Sequence, residues 1–470
     1  MSRETTIIIT LIVYKVILIL IGIFTSRKTS DTDDFYLGGR TLGPVVSAIS
    51  ASASSSSAWT LLGVSGAAYT WGVSVIWLFP ACVGGFILNW YVVAPRLHAF
   101  SHEKNSLTLT EVISRETPPK YFIATIASII IAFSLLFYIS SQFQAAGKTF
   151  AETFDISYTY SVIIGGAIII FYTLLGGFWA VSITDTLQGL LMAIGAIILP
   201  VAAVIEVGGF SSLFEQLAKV EVNGYLSLTR NLPPAAGIGF VLGLLGVGLG
   251  YPGQPHVVNR FMALKDQKSV VQARRIAILW AVCVYAGMII LGLCGRVLFD
   301  TVNDKEAIFF VVTNGLFSPV IAGIMTACIL SAIMSTADSQ LLVAASSLTH
   351  DLRLNREKND TANSLVQARV VVLLLSIAAI ILALFGSKEI FNRVLFAWTA
   401  MGAAFGPILI IRLFFGPITP RAILTAMLLG FILSVVGHSI PQTKGTYFDR
   451  ILPFVLATII AFLGTKREKK

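Results

Sequence analysis

Apolar runs of about twenty residues recur from one end of the chain to the other, separated by short polar segments. A helix of that length crosses the hydrocarbon core of a bilayer. Backbone exposed to lipid must be hydrogen-bonded internally, so each run is predicted to be helical. The pattern therefore predicts an all-α polytopic membrane protein with thirteen spans, at about residues 6–25, 43–68, 72–95, 121–146, 158–177, 180–206, 236–259, 276–298, 316–348, 366–386, 391–411, 420–440 and 451–465.

Two of these runs carry interruptions. The second contains ASASSSSAW (51–59), whose four consecutive serines cover every face of a helix. The seventh contains LGLLGVGLGYPGQP (242–255), with five glycines and two prolines. Isolated serines and glycines commonly pack helices together, but these clusters exceed that use. Irregular backbone at membrane depth needs protein or a water-filled cavity beside it, so we expect both breaks to face a cavity.

The two interrupted runs lie five spans apart. Transporters built from inverted five-helix repeats break the first helix of each repeat and bind substrate between the breaks. The predicted organisation is an extra N-terminal helix with an inside loop (1–42), two five-helix repeats (43–206 and 236–411), and two C-terminal helices with a basic tail (412–470).

Charge supports a membrane protein and suggests its orientation. Only 12% of residues are charged, against about 25% in soluble domains, and 56% are hydrophobic. With the N-terminus outside, the inside segments hold 22 of the 33 Lys and Arg residues, which predicts N-out/C-in. Anionic lipid headgroups account for the net charge of +9, so nucleic-acid binding is not expected. Those inside segments are 26–42, 96–120, 260–275, 349–369, 412–421 and the tail after 465.

A stripe of small and hydroxyl residues lies on the ninth span. Ala332, Ser335, Thr336 and Ser339 fall at helical spacing on one face. Such a stripe alone is commonly a packing surface. Hydroxyls and freed carbonyls are also the oxygen ligands that alkali cations need. Beside the serine break, the stripe predicts a sodium site.

Two acids lie within the predicted spans, Asp185 and Asp338. A charged acid near the bilayer centre costs at least about 2.5–3.5 kcal/mol, which makes each a functional candidate. The alternative is that each lies in a hydrated end or vestibule and is simply solvated.

Other chemistry finds no support in the sequence. There is no nucleophile–base pair, metal-ligand cluster or cofactor motif, so an enzyme is not expected. The cysteines all fall within apolar runs without CxxC spacing and are read as buried small hydrophobes. They are Cys82, Cys283, Cys294 and Cys328.

The chain resembles the sodium:solute symporter family, and most closely its proline-transporting members. The resemblance implies a leucine-transporter-like fold, thirteen spans, an N-out/C-in orientation in the bacterial cytoplasmic membrane, and Na⁺ as the coupling ion. It is carried by DDFYLGGRTLGP (33–44), SASASSSSAW (50–59), LLGGFWAVSITDTLQ (174–188), GLGYPGQPHVVNRFMA (248–263), ILSAIMSTADSQLL (329–342) and GAAFGP (402–407).

The resemblance also implies site residues. Sodium would be held by backbone oxygens of Ala53, Ser56 and Ala332 and the hydroxyls of Ser335 and Thr336. A second cation site would involve Asp185, Asp338 and Ser339. Together with the polar Gln142 and the break residue Val247, the expected substrate-binding residues are Trp59, Tyr138, Gln142, Val247, Tyr251 and Pro255.

Two departures from the proline members leave the substrate open. Those members carry an aspartate where this chain has Ser55, and a tryptophan where it has Val247. The expected function is a sodium-coupled secondary symporter that imports a small organic solute by alternating access, with L-proline as the first candidate. The alternatives are another amino acid, a carboxylate or a sugar acid as substrate, or a solute sensor that does not transport. No obligatory protein partner is inferred.

Overall fold

The computed structural model describes residues 3–26, 37–115, 120–175, 178–353, 361–387 and 389–466. Parts of the predicted inside segments 26–42, 96–120 and 349–369, and most of the tail, lie outside the described residues. The regular secondary structure of the described residues is all helical, with two isolated backbone bridges and no strand.

The described residues of the first half of the chain form ten α-helices. A π-helical segment, Trp59–Val64, joins α2 to α3, and a 3₁₀ segment, Gly72–Trp77, joins α3 to α4. The helices are α1 (Arg3–Ser26), α2 (Pro44–Ala58), α3 (Ser65–Trp71), α4 (Leu78–Ile87), α5 (Ala94–Lys104), α6 (Leu109–Ser114), α7 (Lys120–Phe154), α8 (Tyr158–Leu175), α9 (Phe178–Val207) and α10 (Gly209–Leu217).

The second half, in the part that the structure describes, adds ten more. A 3₁₀ segment, Val247–Gly253, separates the first two of them. They are α11 (Pro234–Gly246), α12 (Pro255–Met262), α13 (Gln267–Leu298), α14 (Ile308–Leu316), α15 (Pro319–Thr349), α16 (Thr361–Phe385), α17 (Ile390–Phe415), α18 (Pro420–Ser439), α19 (Tyr447–Arg450) and α20 (Leu452–Leu463).

Ten helical stretches of the described chain are long and apolar enough to cross a membrane. The predicted number of thirteen differs for two reasons. The stretch Pro44–Lys104 is 61 residues long, and a helix of that length would measure about 90 Å, three times the hydrocarbon thickness. The chain instead turns at Gly72, where φ is +65°. The apolar helices α8 and α20 are also short.

Helix α2 lies at the centre of the molecule and packs against α9, α12, α13 and α15. Its start lies beside the end of α12. The Leu42 amide donates to the Ala263 carbonyl (3.1 Å), and the Lys265 amide donates to the Leu42 carbonyl (3.2 Å). The chain therefore enters the first interrupted segment beside the point where the second one ends.

Glycines allow the second interrupted segment to touch the backbone of α17. A methyl group on Gly402 would lie 2.5 Å from Cα of Gly250. We expect Gly402→Ala to lower the thermal unfolding midpoint by several degrees, because overpacking of this kind costs about 1–3 kcal/mol. Gly84→Ala in α4 is the matched control, since its methyl group would meet nothing within 4 Å. Equal stability of the two variants would contradict the close approach.

Candidate functional site

The first break lies at Ser57, which has φ +57° and ψ −176° inside an otherwise helical stretch. This conformation is unfavourable for a residue with a Cβ and needs compensating contacts. Side chains supply them. The Ala58 amide donates to Oε1 of Gln142 on α7 (3.2 Å), and the Trp59 amide donates to Oγ of Ser57 (3.1 Å). The Tyr138 hydroxyl donates to the same Oγ (3.3 Å). Two residues expected at the substrate site thus support the break.

The second break spans Val247 to Gln254, where the chain changes from 3₁₀ to extended backbone before α12 begins. Its carbonyls accept from side chains of other elements. Indole Nε1 of Trp398 donates to the Val247 carbonyl (3.1 Å), and Nδ2 of Asn89 donates to the Tyr251 carbonyl (3.1 Å). Protein groups therefore replace the helical hydrogen bonds that the glycines and prolines interrupt.

Oxygen atoms from α2 and α15 meet beside the first break. Oγ1 of Thr336 lies 3.3 Å from the Ala53 carbonyl oxygen and 3.4 Å from that of Ser54. Oγ of Ser335 donates to the Ala332 carbonyl on the same buried face of α15 (3.3 Å). The structure thus gathers four of the five expected sodium ligands on two adjoining helix surfaces.

The fifth expected ligand, Ser56, lies on the same buried segment of α2. Its carbonyl oxygen accepts from Oγ1 of Thr60 (2.6 Å), which keeps one of its lone pairs engaged. All these groups are neutral oxygens. Such a set can hold one small hard cation without burying another formal charge.

The expected second cation site is only partly assembled. The carboxylate of Asp185 accepts from Oγ of Ser339 (3.2 Å). Asp338, one residue earlier on α15, lies on another face and pairs with Thr173 of α8. The structure brings Asp185 and Ser339 together and leaves Asp338 apart.

The largest omission from the sequence analysis is Arg260. It is the first residue of the segment predicted to be inside (260–275), but the structure places it within α12, where it is 1% exposed. Its guanidinium forms an ion pair with Asp185 at 2.9 Å. A basic residue four positions after His256, within an apolar helix turn, was the available signal.

Several of the expected substrate-binding residues are linked by contacts between their aromatic rings. Tyr251 contacts Trp398 edge to face, with ring centroids 4.7 Å apart, and Tyr138 faces the same indole at 6.4 Å. Tyr138 also packs against His256, the residue after Pro255. Trp398 of α17 therefore joins the two breaks. Nothing in the sequence distinguishes Trp398 from a packing aromatic, so it was not among the expected site residues.

Three buried polar atoms near the first break have no hydrogen-bond partner among the described residues: Nε1 of Trp59, Nε2 of Gln142 and Oγ of Ser56. A buried donor without an acceptor costs about 1–3 kcal/mol, so such atoms mark a place for a ligand. Phe391 stacks on Trp59, with ring centroids 5.6 Å apart, and covers this region. Val247 itself is buried, and its carbonyl contacts Trp398.

Titratable groups also meet beyond the end of α15, outside the apolar runs. The carboxylate of Glu111 accepts from the Leu107 amide and lies 2.8 Å from Nε2 of His350. Burial would raise the pKa of Glu111, but the contacts with His350 and Leu107 hold it below its ordinary value. The buried Asp351 accepts from Thr108, and burial raises its pKa to about 6.

We expect Asp351→Asn to raise the thermal midpoint by several degrees at pH 8. The folded pKa of about 6 lies above the ordinary value of 3.8, so the ionised carboxylate costs stability above pH 6. That cost fades as the pH falls towards 4, and the difference between variant and parent should shrink with it. Thermal unfolding in detergent from pH 4 to pH 8 measures this. Stabilisation that instead grew with acid would contradict it; exposed Glu103→Gln is the control.

Sequence comparison shows which known proteins this chain is similar to. Residues 35–430 match the model of the sodium:solute symporter family. The chain is 35% identical to the osmoregulated proline transporter OpuE of Bacillus subtilis (strain 168), covering 99% of this chain and 96% of that one. It is 37% identical to the sodium/proline symporter of Escherichia coli (strain K12), covering 93% and 88%.

Solved structures show the same fold. A Na⁺-coupled sialic acid symporter in a substrate-bound outward-open state superposes with a TM-score of 0.80 at 18% identity, over 97% of each chain. The nucleobase-cation-symport-1 transporter Mhp1 in a closed conformation gives a TM-score of 0.59 at 13% identity, over 93% and 94%. The family match and the full-length relatives place this chain in the sodium:solute symporter family, whose members are secondary transporters rather than enzymes.

Proposed function

We propose that this protein is a sodium-coupled secondary symporter that imports L-proline across the bacterial cytoplasmic membrane. The single observation that carries the coupling is the approach of the Thr336 hydroxyl to the Ala53 and Ser54 carbonyls at the first break. The sodium ion binds there, between α2 and α15. Relatives named as proline transporters over nearly the full chain support the substrate.

Substrate binds between the two breaks. Nε1 of Trp59 and Nε2 of Gln142 donate to its carboxylate, since a carboxylate offers four lone-pair positions and each buried donor needs one. The rings of Tyr138, Tyr251 and Trp398 form the apolar wall for a pyrrolidine ring and attract its ammonium group.

The architecture is thirteen spans in an N-out/C-in orientation, with inverted repeats at 43–206 and 236–411. The turn at Gly72 divides Pro44–Lys104 into two spans, and α8 and α20 cross as short spans. The excess of Lys and Arg in the inside segments remains after Arg260 is removed from the count. The contact between Leu42 and Ala263 supports repeats of opposite direction.

Alternating access follows from this arrangement. Sodium first ties the serine break to α15, and substrate then fills the space between the breaks. One sodium ion moving down a potential of about 150 mV yields roughly 3.5 kcal/mol, enough for a solute gradient of about 300-fold.

The two departures of the sequence do not favour another function. The Ser55 hydroxyl donates to the Ser52 carbonyl of its own helix (2.9 Å), so it binds within α2. The indole of Trp398 stands against the carbonyl of Val247. The relatives favour proline transport over another substrate or a non-transporting sensor.

The direct test is uptake of labelled L-proline into proteoliposomes with an inward sodium gradient, compared with an equal potassium gradient. Accumulation only with sodium is expected. Equal uptake with both cations would refute sodium coupling. Sodium-dependent thermal stabilisation without any proline uptake would refute the substrate and keep the cation site.

A further inference from the structure

The Asp185 carboxylate is fully buried, and most of its partners are side chains of other helices. Its Oδ2 accepts from Ser50 (2.9 Å), Ser54 (3.3 Å) and Ser339 (3.2 Å). Nη2 of Arg260 lies 2.9 Å from the same oxygen. Helices α2, α9, α12 and α15 thus converge on one carboxylate.

The guanidinium of Arg260 also binds the hydroxyls around that carboxylate. Nε donates to Oγ of Ser50 (3.1 Å), and Nη2 donates to Oγ of Ser339. Nη1 donates to the His256 carbonyl, and the ring of Phe178 lies beneath the guanidinium at 5.2 Å. Three of the oxygens that a monovalent cation would use in this pocket, Oγ of Ser50, Oδ2 of Asp185 and Oγ of Ser339, are therefore already bonded to a cationic side chain.

We propose that Arg260 is the resident cation of the Asp185 pocket, and that this chain binds one transported sodium ion per cycle, at Ala53 and Thr336. This inference deepens the proposed function and rests on it. An arginine side chain stays charged at all working pH values, so it neutralises Asp185 permanently. The remaining oxygen, Oδ1 of Asp185, has no hydrogen-bond partner among the described residues. A sodium ion there would share one carboxylate with the guanidinium, and like charges in a buried site repel.

The position of the Arg260–Asp185 ion pair explains what a cation covalently attached to the protein contributes there. A crevice of about 20 Å³ reaches Arg260 and Ser339 and is lined by Leu107 and Thr108 of the α5–α6 connection. The pair therefore lies between the Thr336 oxygens and the loop side of the bundle. A sodium ion in that place would be released with the cargo, whereas the guanidinium returns with the protein and keeps α2, α12 and α15 joined.

Counting bound sodium tests the proposal without any substrate. Purified full-length protein is titrated with radioactive sodium to saturation, and bound ions per chain are determined. One ion per chain is expected for the parent and for Arg260→Lys, which keeps a tethered charge. Arg260→Met vacates the pocket and leaves Asp185 with three serine hydroxyls, so two ions per chain are expected. The double variant Arg260→Met with Asp185→Asn should return to one.

Two ions bound to the parent protein would overturn the proposal, whatever the variants do. One ion bound to a folded Arg260→Met variant would overturn it too. If that variant does not fold, the sodium-to-proline flux ratio of the parent decides: one to one is expected, and two to one overturns the proposal. A parent that binds one sodium ion but takes up no proline would refute the proposed substrate and leave the role of Arg260 intact.

Discussion

Thr336→Ala is expected to raise the sodium concentration for half-maximal proline uptake by about 10- to 100-fold. The hydroxyl of Thr336 is the group of α15 that approaches the Ala53 and Ser54 carbonyls. Even the loss of an outer-shell partner of a bound metal typically costs a factor of this size, or about 1.4–2.7 kcal/mol, and Thr336 would contact the ion directly. Sodium titration of uptake in proteoliposomes measures it, and the order of preference among competing amino acids should not change.

Two control variants test whether the effect comes from the hydroxyl oxygen of Thr336. Thr336→Ser keeps the oxygen and should keep most of the sodium affinity. Thr326→Ala removes a buried hydroxyl of the same helix that donates only to the Ala322 carbonyl, so sodium dependence should be unchanged. Unaltered sodium activation in Thr336→Ala would remove the proposed ion site from this pair of helices.

Gln142→Glu is expected to lower kcat/KM for proline by on the order of 100-fold while sodium-dependent stabilisation persists. The glutamate keeps an oxygen that can accept from the Ala58 amide and so preserves the break. It replaces the free Nε2 donor with a carboxylate oxygen, which repels the substrate carboxylate. Loss of a hydrogen bond to a charged group costs about 1.5–3 kcal/mol, and repulsion adds to it. Initial uptake rates measure kcat/KM for proline, and sodium-dependent shifts of the thermal midpoint measure whether sodium still binds.

The matched control is Gln144→Met, two positions further along α7. Its Nε2 donates to the carbonyls of Ser387 and Ala383, away from the break, so KM should change little even if stability falls. An unchanged proline KM in Gln142→Glu would mean that the amide of Gln142 supports the break and does not contact substrate.

Local sequence was sufficient for several features because each depends on neighbouring residues alone. Apolar runs of bilayer length must form helices, and the helices of the described chain follow them. Four consecutive serines cannot all face one neighbour, and the break lies among them at Ser57. The spacing of Ala332, Ser335 and Thr336 fixed a common helix face, and that face is buried against α2.

Other features depend on which helices meet, which no local pattern encodes. Asp185 and Asp338 looked equivalent in sequence, yet one pairs with Arg260 and the other with Thr173. The count of membrane-length helices also differs from thirteen, because Pro44–Lys104 forms one continuous helical stretch and α8 and α20 are short. The turn at Gly72 that divides this stretch depends on contact with distant backbone, since the Val73 amide donates to the Tyr225 carbonyl. The carbonyl of Tyr225 occupies the place that a side chain at Gly72 would need.

The sequence by itself thus determined the helical membrane fold, the positions of the two breaks and the hydroxyl face, because backbone hydrogen bonding in lipid leaves few choices. Only the tertiary structure decided the partners of the buried charges. A buried ion pair needs close geometry and further hydrogen bonds to offset the loss of water from both charges. For Arg260 the partner groups come from α2, α9 and α15, so its burial could not be known until these helices were placed together.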